Sequence, residues 1–195
     1  MKHAEYLKYY NREDYLFDDV SKRFRRDKDL TAFDFFCIII WKANRAKSTV
    51  AKSLLKIGRE QGYKTLDAVV KALTGDIHKE SEAKKRLEVL MGKWKLKLPM
   101  ASAVLTVLYP EEFTIYDVRV CKELKNFEST KNQKPFDKLW ESYEEYIKCV
   151  KSTVGENLSL RDKDRWLFGR SFAEQLEKDI ENKFPRPSDK SKSEE

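Results

Sequence analysis

Apolar positions along this chain recur at intervals of three and four far more often than they alternate, and polar turns, glycines and prolines separate the segments they mark. That is the pattern of amphipathic helices. The first strong block is Phe35-Phe-Cys-Ile-Ile-Ile-Trp41, apolar on all sides, with Thr31-Ala-Phe-Asp34 ahead of it as a capping-box-like start. A helix apolar all round is expected to run through the middle of a fold. Val50, Leu54, Leu55 and Ile57 mark a second helix, ending near Gly58 or Gly62, and Leu66, Val69, Val70 and Leu73 a third, ending at Gly75. Ser81 to Trp94 reads as a fourth, with Ala83, Leu87, Leu90 and Met91 inward and Lys84, Lys85 and Arg86 outward. Pro99 suits a first helical position. After it Ala101, Val104, Leu105 and Leu108 share a face, until Tyr109-Pro110 stops the helix.

Asp117 is placed to begin the next helix, carried on by Val118, Cys121 and Leu124. Leu139, Tyr143, Tyr146, Ile147 and Val150 line one side of a helix over 136–150. Ser159-Leu-Arg-Asp162 is a second capping box, opening a long helix in which Phe168, Phe172, Leu176, Ile180 and Phe184 recur every four residues. Trp166, near its start, is expected to pack back on the 33–41 helix. The N-terminal 29 residues, with Tyr6, Tyr9, Tyr10, Tyr15, Phe17 and Phe24, fit one or two short helices laying aromatics onto the domain. The expectation is an all-α fold: one helical domain over 1–184, with a finer division into two lobes, about 35–94 and the remainder. Residues 185–195, rich in Pro, Ser, Lys and Glu, are expected to form a disordered tail.

Composition narrows the function classes. With 41% hydrophobic residues the chain has enough apolar mass for a core, and with 6 Gly and 5 Pro in 195 residues it does not read as a sheet protein. The net charge of +7 favours a polyanionic partner. The cluster Lys22-Arg23-Phe24-Arg25-Arg26 fits either a phosphate grip or a solvated helix face. Three isolated cysteines, Cys37, Cys121 and Cys149, and two histidines form no Cys-x-x-Cys pair. A disulfide framework, a zinc site and a histidine metal centre are therefore not expected, and no cofactor is called for. No apolar run reaches membrane-spanning length. An intracellular protein of the cytoplasm, nucleoid or nucleus, with no membrane partner and acting as a monomer, is the expectation.

Leu98-Pro99, the helix Met100 to Leu108 and Tyr116-Asp117-Val-Arg-Val120 together resemble the core of the helix-hairpin-helix (HhH-GPD) DNA glycosylases, whose signature is a helical hairpin followed by an aspartate in a segment like V-D-x-H-V. Upstream, Ala32 to Lys47 is similar to that superfamily's buried helix and the loop it inserts into duplex DNA. The similarity spans roughly residues 30 to 125 and is nearest to the 8-oxoguanine DNA glycosylase-like branch. It implies a two-lobed helical fold with a central buried helix and damaged duplex DNA as partner. The implied chemistry is removal of a damaged or modified base, with an 8-oxoguanine-type lesion as first guess. The base is flipped out and its glycosidic bond broken with carboxylate assistance.

The resemblance makes Asp117 the catalytic acid and Lys42, Asn44, Arg45, Lys47, Lys95 and Arg119 candidates for DNA contact, with Asn44 or Arg45 as the wedge that fills the gap of the extruded base. Trp41, Trp94, Tyr116 and Trp166 are the aromatic candidates for a base pocket. The family hairpin usually reads L-P-G-V-G-x-K, and its final lysine forms a Schiff base in the bifunctional enzymes. Counting back from Asp117 puts Pro99 at that lysine and Lys95 and Lys97 at the two glycines. Hydrolytic base removal is therefore carried further by the resemblance than lyase action, for which Lys97 is the nearest amine. Two other readings remain: a catalytically inactive DNA-binding module of the same fold, and a helical interaction domain without a nucleic-acid role.

Overall fold

A computed structural model describes residues 4–184, and among them the chain is all-helical, with no strand. The N-terminal arm comprises α1 (Ala4–Leu7), α2 (Arg12–Asp14) and α3 (Ser21–Asp27), the last two joined without a break by the π-helical turns Tyr15–Val20. Then follow α4 (Ala32–Ala43), a 3-10 turn Asn44–Ala46, α5 (Lys47–Glu60) and α6 (Leu66–Lys79). Next come α7 (Ala83–Glu88), which widens into π-helical turns at Val89–Lys93, and α8 (Leu98–Leu108). Last among the described residues come α9 (Val118–Leu124), α10 (Phe136–Ser152) and α11 (Leu160–Glu181).

The helix that runs through the middle is α8. Every residue of it except Pro99 is buried, because its sequence has no charged residue and needs no solvated face. Its two hydroxyls bond back into the helix, Thr106 to the Ser102 carbonyl at 2.8 Å and Ser102 to the Pro99 carbonyl at 3.2 Å. The expectation that α4 would hold this central place is corrected. Thr31 caps α4 as expected, accepting from the Asp34 N–H at 3.1 Å, and Phe35, Ile38 and Ile39 are buried. Yet Phe33 is exposed, and Phe36, Ile40 and Trp41 are only half-buried. An apolar sequence fixes what a helix is able to bury, not how many sides its neighbours cover, and α4, though it meets α8, α6, α5, α2 and the Tyr15–Val20 turns, leaves Phe33 exposed.

α6 runs past the glycine expected to end it, and α5 runs past Gly58 and ends near Gly62, the second of its two expected stops. At Gly58 in α5 a Cβ would stand 2.2 Å from Val69 Cγ2 of α6, so this glycine is a contact point between two helices rather than a terminus. The helix ends at Glu60, and the chain turns through Gln61 and Gly62, whose φ is 85°. α6 continues through Gly75 to Lys79 because Ile77, beyond the glycine, is buried. At the N-terminus Tyr15 and Phe24 are buried, Tyr9 and Phe17 half-buried, and Tyr6 and Tyr10 exposed. The basic cluster there is largely engaged with its own neighbours: Lys22 with Asp18, Arg23 with Asp34, Arg25 with Ser21 and Arg26 with Asp27.

Leu139, Tyr143, Tyr146, Ile147 and Val150 of α10 all turn inward. On α11 the buried residues are Leu160, Asp164, Leu167 and Ser171. The four-residue stripe from Phe168 to Phe184 faces outward instead. One continuous buried cluster extends from Tyr15 to Leu167 and includes residues of both expected lobes. Residues 185–195, expected as a tail, lie outside the described range. Among the described residues no helix is long and apolar enough to cross a membrane.

Candidate active site

Between α8 and α9 the chain runs extended through Phe113, Thr114, Ile115 and Tyr116, all buried. Buried extended backbone outside a sheet must find partners for its polar groups elsewhere. α10 supplies two: the Tyr143 hydroxyl donates to the Thr114 carbonyl at 2.5 Å, and the Tyr146 hydroxyl to the Ile115 carbonyl at 2.8 Å. Burial holds both phenols well above their ordinary pKa, which keeps them donors. α8 supplies a third, since Ser102 Oγ accepts from the Tyr116 N–H at 3.0 Å. Tyr116 is itself tied down, its hydroxyl donating to the Phe127 carbonyl at 2.6 Å.

This anchored segment delivers Asp117 to the cap position just ahead of α9. Its Oδ1 accepts from the Arg119 N–H at 2.9 Å, an ordinary helix cap. Its Oδ2 does something a cap does not require. Lys42, in the last turn of α4, reaches across 75 residues of sequence to place Nζ 2.5 Å from it. The ion pair is largely enclosed, with side chains 12% and 21% exposed.

Lys42 and Asp117 border a cavity of about 330 Å³, lined also by Glu13, Trp41, Ile115, Arg161, Asp164, Arg165 and Phe168. That size lies within the range of small-ligand sites, about 300–1,000 Å³. Trp41 and Phe168 are its apolar walls. Arg161 organises one side: it pairs with Glu13 at 2.8 Å and with Asp164, and its guanidinium lies 5.2 Å from the Phe17 ring and 5.1 Å from the Trp41 ring. Cation–π contact of this kind fixes the indole as well as the arginine.

Asp164 is the second carboxyl of the cavity. Burial pushes it up to about 6, against the pull of Arg161 and Lys42, and Asp117 adds to the rise. Two carboxyls of unequal environment therefore share one half-open space, Asp117 paired with the Lys42 ammonium and Asp164 paired with Arg161 yet raised by burial to about 6. That is the arrangement in which one acid donates and another accepts.

No protein-family model, curated protein or solved structure matches this chain.

What the site can do therefore rests on its own geometry. Of the residues singled out in the sequence, Asp117, Lys42 and Trp41 are brought together at the cavity. Asn44, Arg45 and Lys47 are exposed on and just after the turn that follows Lys42, with Asn44 Oδ1 accepting from Lys47 Nζ at 2.8 Å. The Arg119 side chain lies over Phe168 and Phe172, 5.8 Å from each ring. Lys95 and Lys97 are exposed on the turn before α8, and neither lines the cavity. Trp94 is fully buried with its indole N–H on Asp76 at 3.2 Å, and Tyr116 is packed in the core. Trp166 faces solvent beneath Arg170.

Glu13, Arg161, Asp164 and Phe168 were not singled out for this cavity from sequence. Asp164 carried a readable signal: it falls on the same helical face as Leu160 and Leu167, so an acid was due to be buried there, with Arg161 three residues before it as partner. Glu13 carried none, since its role depends on the N-terminal arm folding over α11.

Proposed function

We propose that the chain is a DNA glycosylase-like protein of the helix-hairpin-helix kind, which receives an extruded base in the Trp41–Phe168 cavity and breaks its glycosidic bond with Asp117. The observation that carries this reading is the Lys42–Asp117 pair at the border of a half-open, partly aromatic cavity. Supporting it, α7 with its π-helical turns, the turn Trp94–Lys97 and α8 form a helical hairpin ahead of the aspartate. Lys95 has φ 55°, the left-handed conformation, where the resemblance calls for glycine.

The N-glycosidic bond breaks with positive charge developing on the sugar. A carboxylate held within a low-dielectric cavity stabilises that charge more than the same group in water. Asp117 fits this role and accepts the proton of the water that adds to the sugar. Lys42 holds the Asp117 carboxyl in place, and it is also the amine nearest the reaction centre. A lysine nucleophile must first lose a proton, and Asp117 is the acceptor in contact with it. Asp164, which burial raises to about 6, is the complementary donor for the departing base in its protonated form. Unstacking a base costs a few kcal/mol. Asn44, Arg45 and Lys47, exposed beside Lys42, are the groups that would offset it by contact with the duplex.

A second reading has one specific observation in its favour. Both Asp117 oxygens are satisfied, by the Arg119 N–H and by Lys42, as they would be in an inactive DNA-binding module. Incubation with duplex and single-stranded oligonucleotides carrying 8-oxoguanine, uracil, hypoxanthine or alkylated bases, followed by alkali, separates the two. Base release that Asp117→Asn abolishes, with duplex affinity and its salt dependence retained, is the expected result. Borohydride trapping that disappears in Lys42→Met, and persists in Lys97→Met, assigns the lyase amine. Binding with no release from any substrate leaves the inactive module. Full activity in Asp117→Asn overturns the mechanism.

A further inference from the structure

The net charge of the chain is +7, and most of it lies in one place. Residues 44–64 carry Arg45, Lys47, Lys52, Lys56, Arg59 and Lys64 against the single carboxylate Glu60, a net +5. All of these side chains are exposed. Among the described residues none of the six cations has a carboxylate within 4.0 Å, and Lys47 Nζ donates to Asn44 Oδ1 at 2.8 Å. Two other basic runs are matched locally. Lys84, Lys85 and Arg86 pair with Asp137, Glu88 and Glu112, and Lys22, Arg23 and Arg26 with Asp18, Asp34 and Asp27. Unmatched like charges repel one another and weaken a fold, so their concentration on one face calls for an account.

On α5 the cations fall in register. At about 100° per residue, Ser48, Lys52, Lys56 and Arg59 lie within about 80° of one another. The three cations stand roughly 100–160° from Leu54 and Gly58, the buried residues of the helix. From Ser48 to Arg59 the row runs about 16 Å along the axis, a length that passes about five phosphates of one DNA strand. The rest of the face selects the partner. Between Phe33 and Val118 no large apolar side chain is exposed. A membrane-bound helix needs an apolar face to insert, and a protein interface needs aromatic or aliphatic anchors. A single strand needs aromatic rings on which its bases stack. The regular backbone of a duplex is held by cations and hydroxyls, and Ser48 and Thr49 are exposed beside the row.

We propose that the exposed face of α5 is a phosphate-backbone track for duplex DNA, in which Lys52, Lys56 and Arg59 each hold a phosphate of one strand. Arg45 and Lys47 continue it toward the cavity, since the turn Asn44–Ala46 joins α5 to the end of α4, where Lys42 stands. The choice of DNA over RNA rests on the base-excision reading, whereas the track itself follows from the charge. Contacts of this kind fix where the duplex lies and carry no sequence information. The main grip is thereby assigned to α5 and not to the turn Trp94–Lys97, which offers two cations, Lys95 and Lys97.

The test is the affinity of the full chain for a short, undamaged, fluorescently labelled DNA duplex, read by anisotropy between about 50 and 200 mM salt. The triple variant Lys52→Gln, Lys56→Gln, Arg59→Gln is expected to flatten the slope of log affinity against log salt by about 2.7, because each phosphate contact contributes about 0.9. Over that range the wild type then loses about 40-fold more affinity than the variant. A control triple, Lys22→Gln, Lys85→Gln, Lys148→Gln, removes the same charge from residues already paired with carboxylates. It is expected to keep the wild-type slope, and both triples to keep the far-ultraviolet circular dichroism. A wild type that binds no duplex overturns the proposal, as do equal slopes in the two triples or a larger loss from Lys95→Gln with Lys97→Gln. Tighter binding to a single strand of the same sequence, or to phosphatidylserine vesicles, overturns it as well. Base release with an unchanged slope in the α5 triple refutes the track alone. Duplex held along α5, with no base released from any substrate, supports the track and refutes excision.

Discussion

Replacing Asp164 by asparagine removes a titration from the heart of the cavity while keeping the shape of the side chain. The acid is 3% exposed. Arg161 and Lys42 favour its charged form, yet burial outweighs them and raises it from an ordinary 3.8 to about 6. A difference of about 2 units is worth about 3 kcal/mol. Because the folded value lies above the unfolded one, the folded state binds this proton more tightly. The contribution to stability is complete below about pH 4 and is lost as pH rises through about 6. Roughly 2 kcal/mol of that loss falls between about pH 4.5 and 7.5. Asparagine does not ionise, so the variant escapes it. Urea unfolding of both proteins across this range, compared at each pH so that other titrations cancel, is expected to show Asp164→Asn gaining about 2 kcal/mol on the wild type as pH rises. A flat difference would refute the reasoning. A wild type that gains on the variant with rising pH would show that Arg161, not burial, governs the acid.

Tyr143→Phe leaves the buried Thr114 carbonyl without its hydroxyl donor. A loss of about 1–3 kcal/mol in chemical denaturation is expected, and under the proposed function base release falls further than DNA affinity does, because Asp117 is three residues away. Gly58→Ala drives a methyl to 2.2 Å from Val69 Cγ2 and is expected to cost about 1–3 kcal/mol. Gly58→Ala combined with Val69→Ala is expected to recover part of the overpacking loss, read as a positive coupling in a double-mutant cycle.

Much of the helical framework was readable because its signals are local. Thr31 and Ser159 announce caps, Pro99 a helix start and Tyr109-Pro110 a stop, and each acts within one turn. The inward face of α10 was likewise contained in its own spacing. Burial was less readable. α4 and α8 are both rich in apolar side chains, yet only α8 is surrounded, a matter settled by where α3, α4, α7 and the Tyr15–Val20 and Val89–Lys93 turns lie. The glycines at 58 and 75 read as stops because glycine weakens a helix, and tertiary contacts overrode that weakness. At the site, Asp117 was legible from its place before α9, whereas the amine that faces it was not. Lys95 and Lys97 are near Asp117 in sequence, but Lys42 is the one near it in space. The stripe on α11 had a clear period and no sign of direction, since the same spacing serves a core face and a surface ridge.

The cavity draws on distant parts of the chain: Glu13 from the N-terminal arm, Lys42 from α4, Asp117 from the start of α9, and Arg161 and Asp164 from α11. The Arg161–Glu13 bond alone spans 148 positions. Contacts so far apart form late, after the loops between them have closed. During synthesis the emerging chain thus lacks this pocket until α11 has left the ribosome, and a protein cut anywhere between α4 and α11 would recover the pocket only by rejoining its pieces.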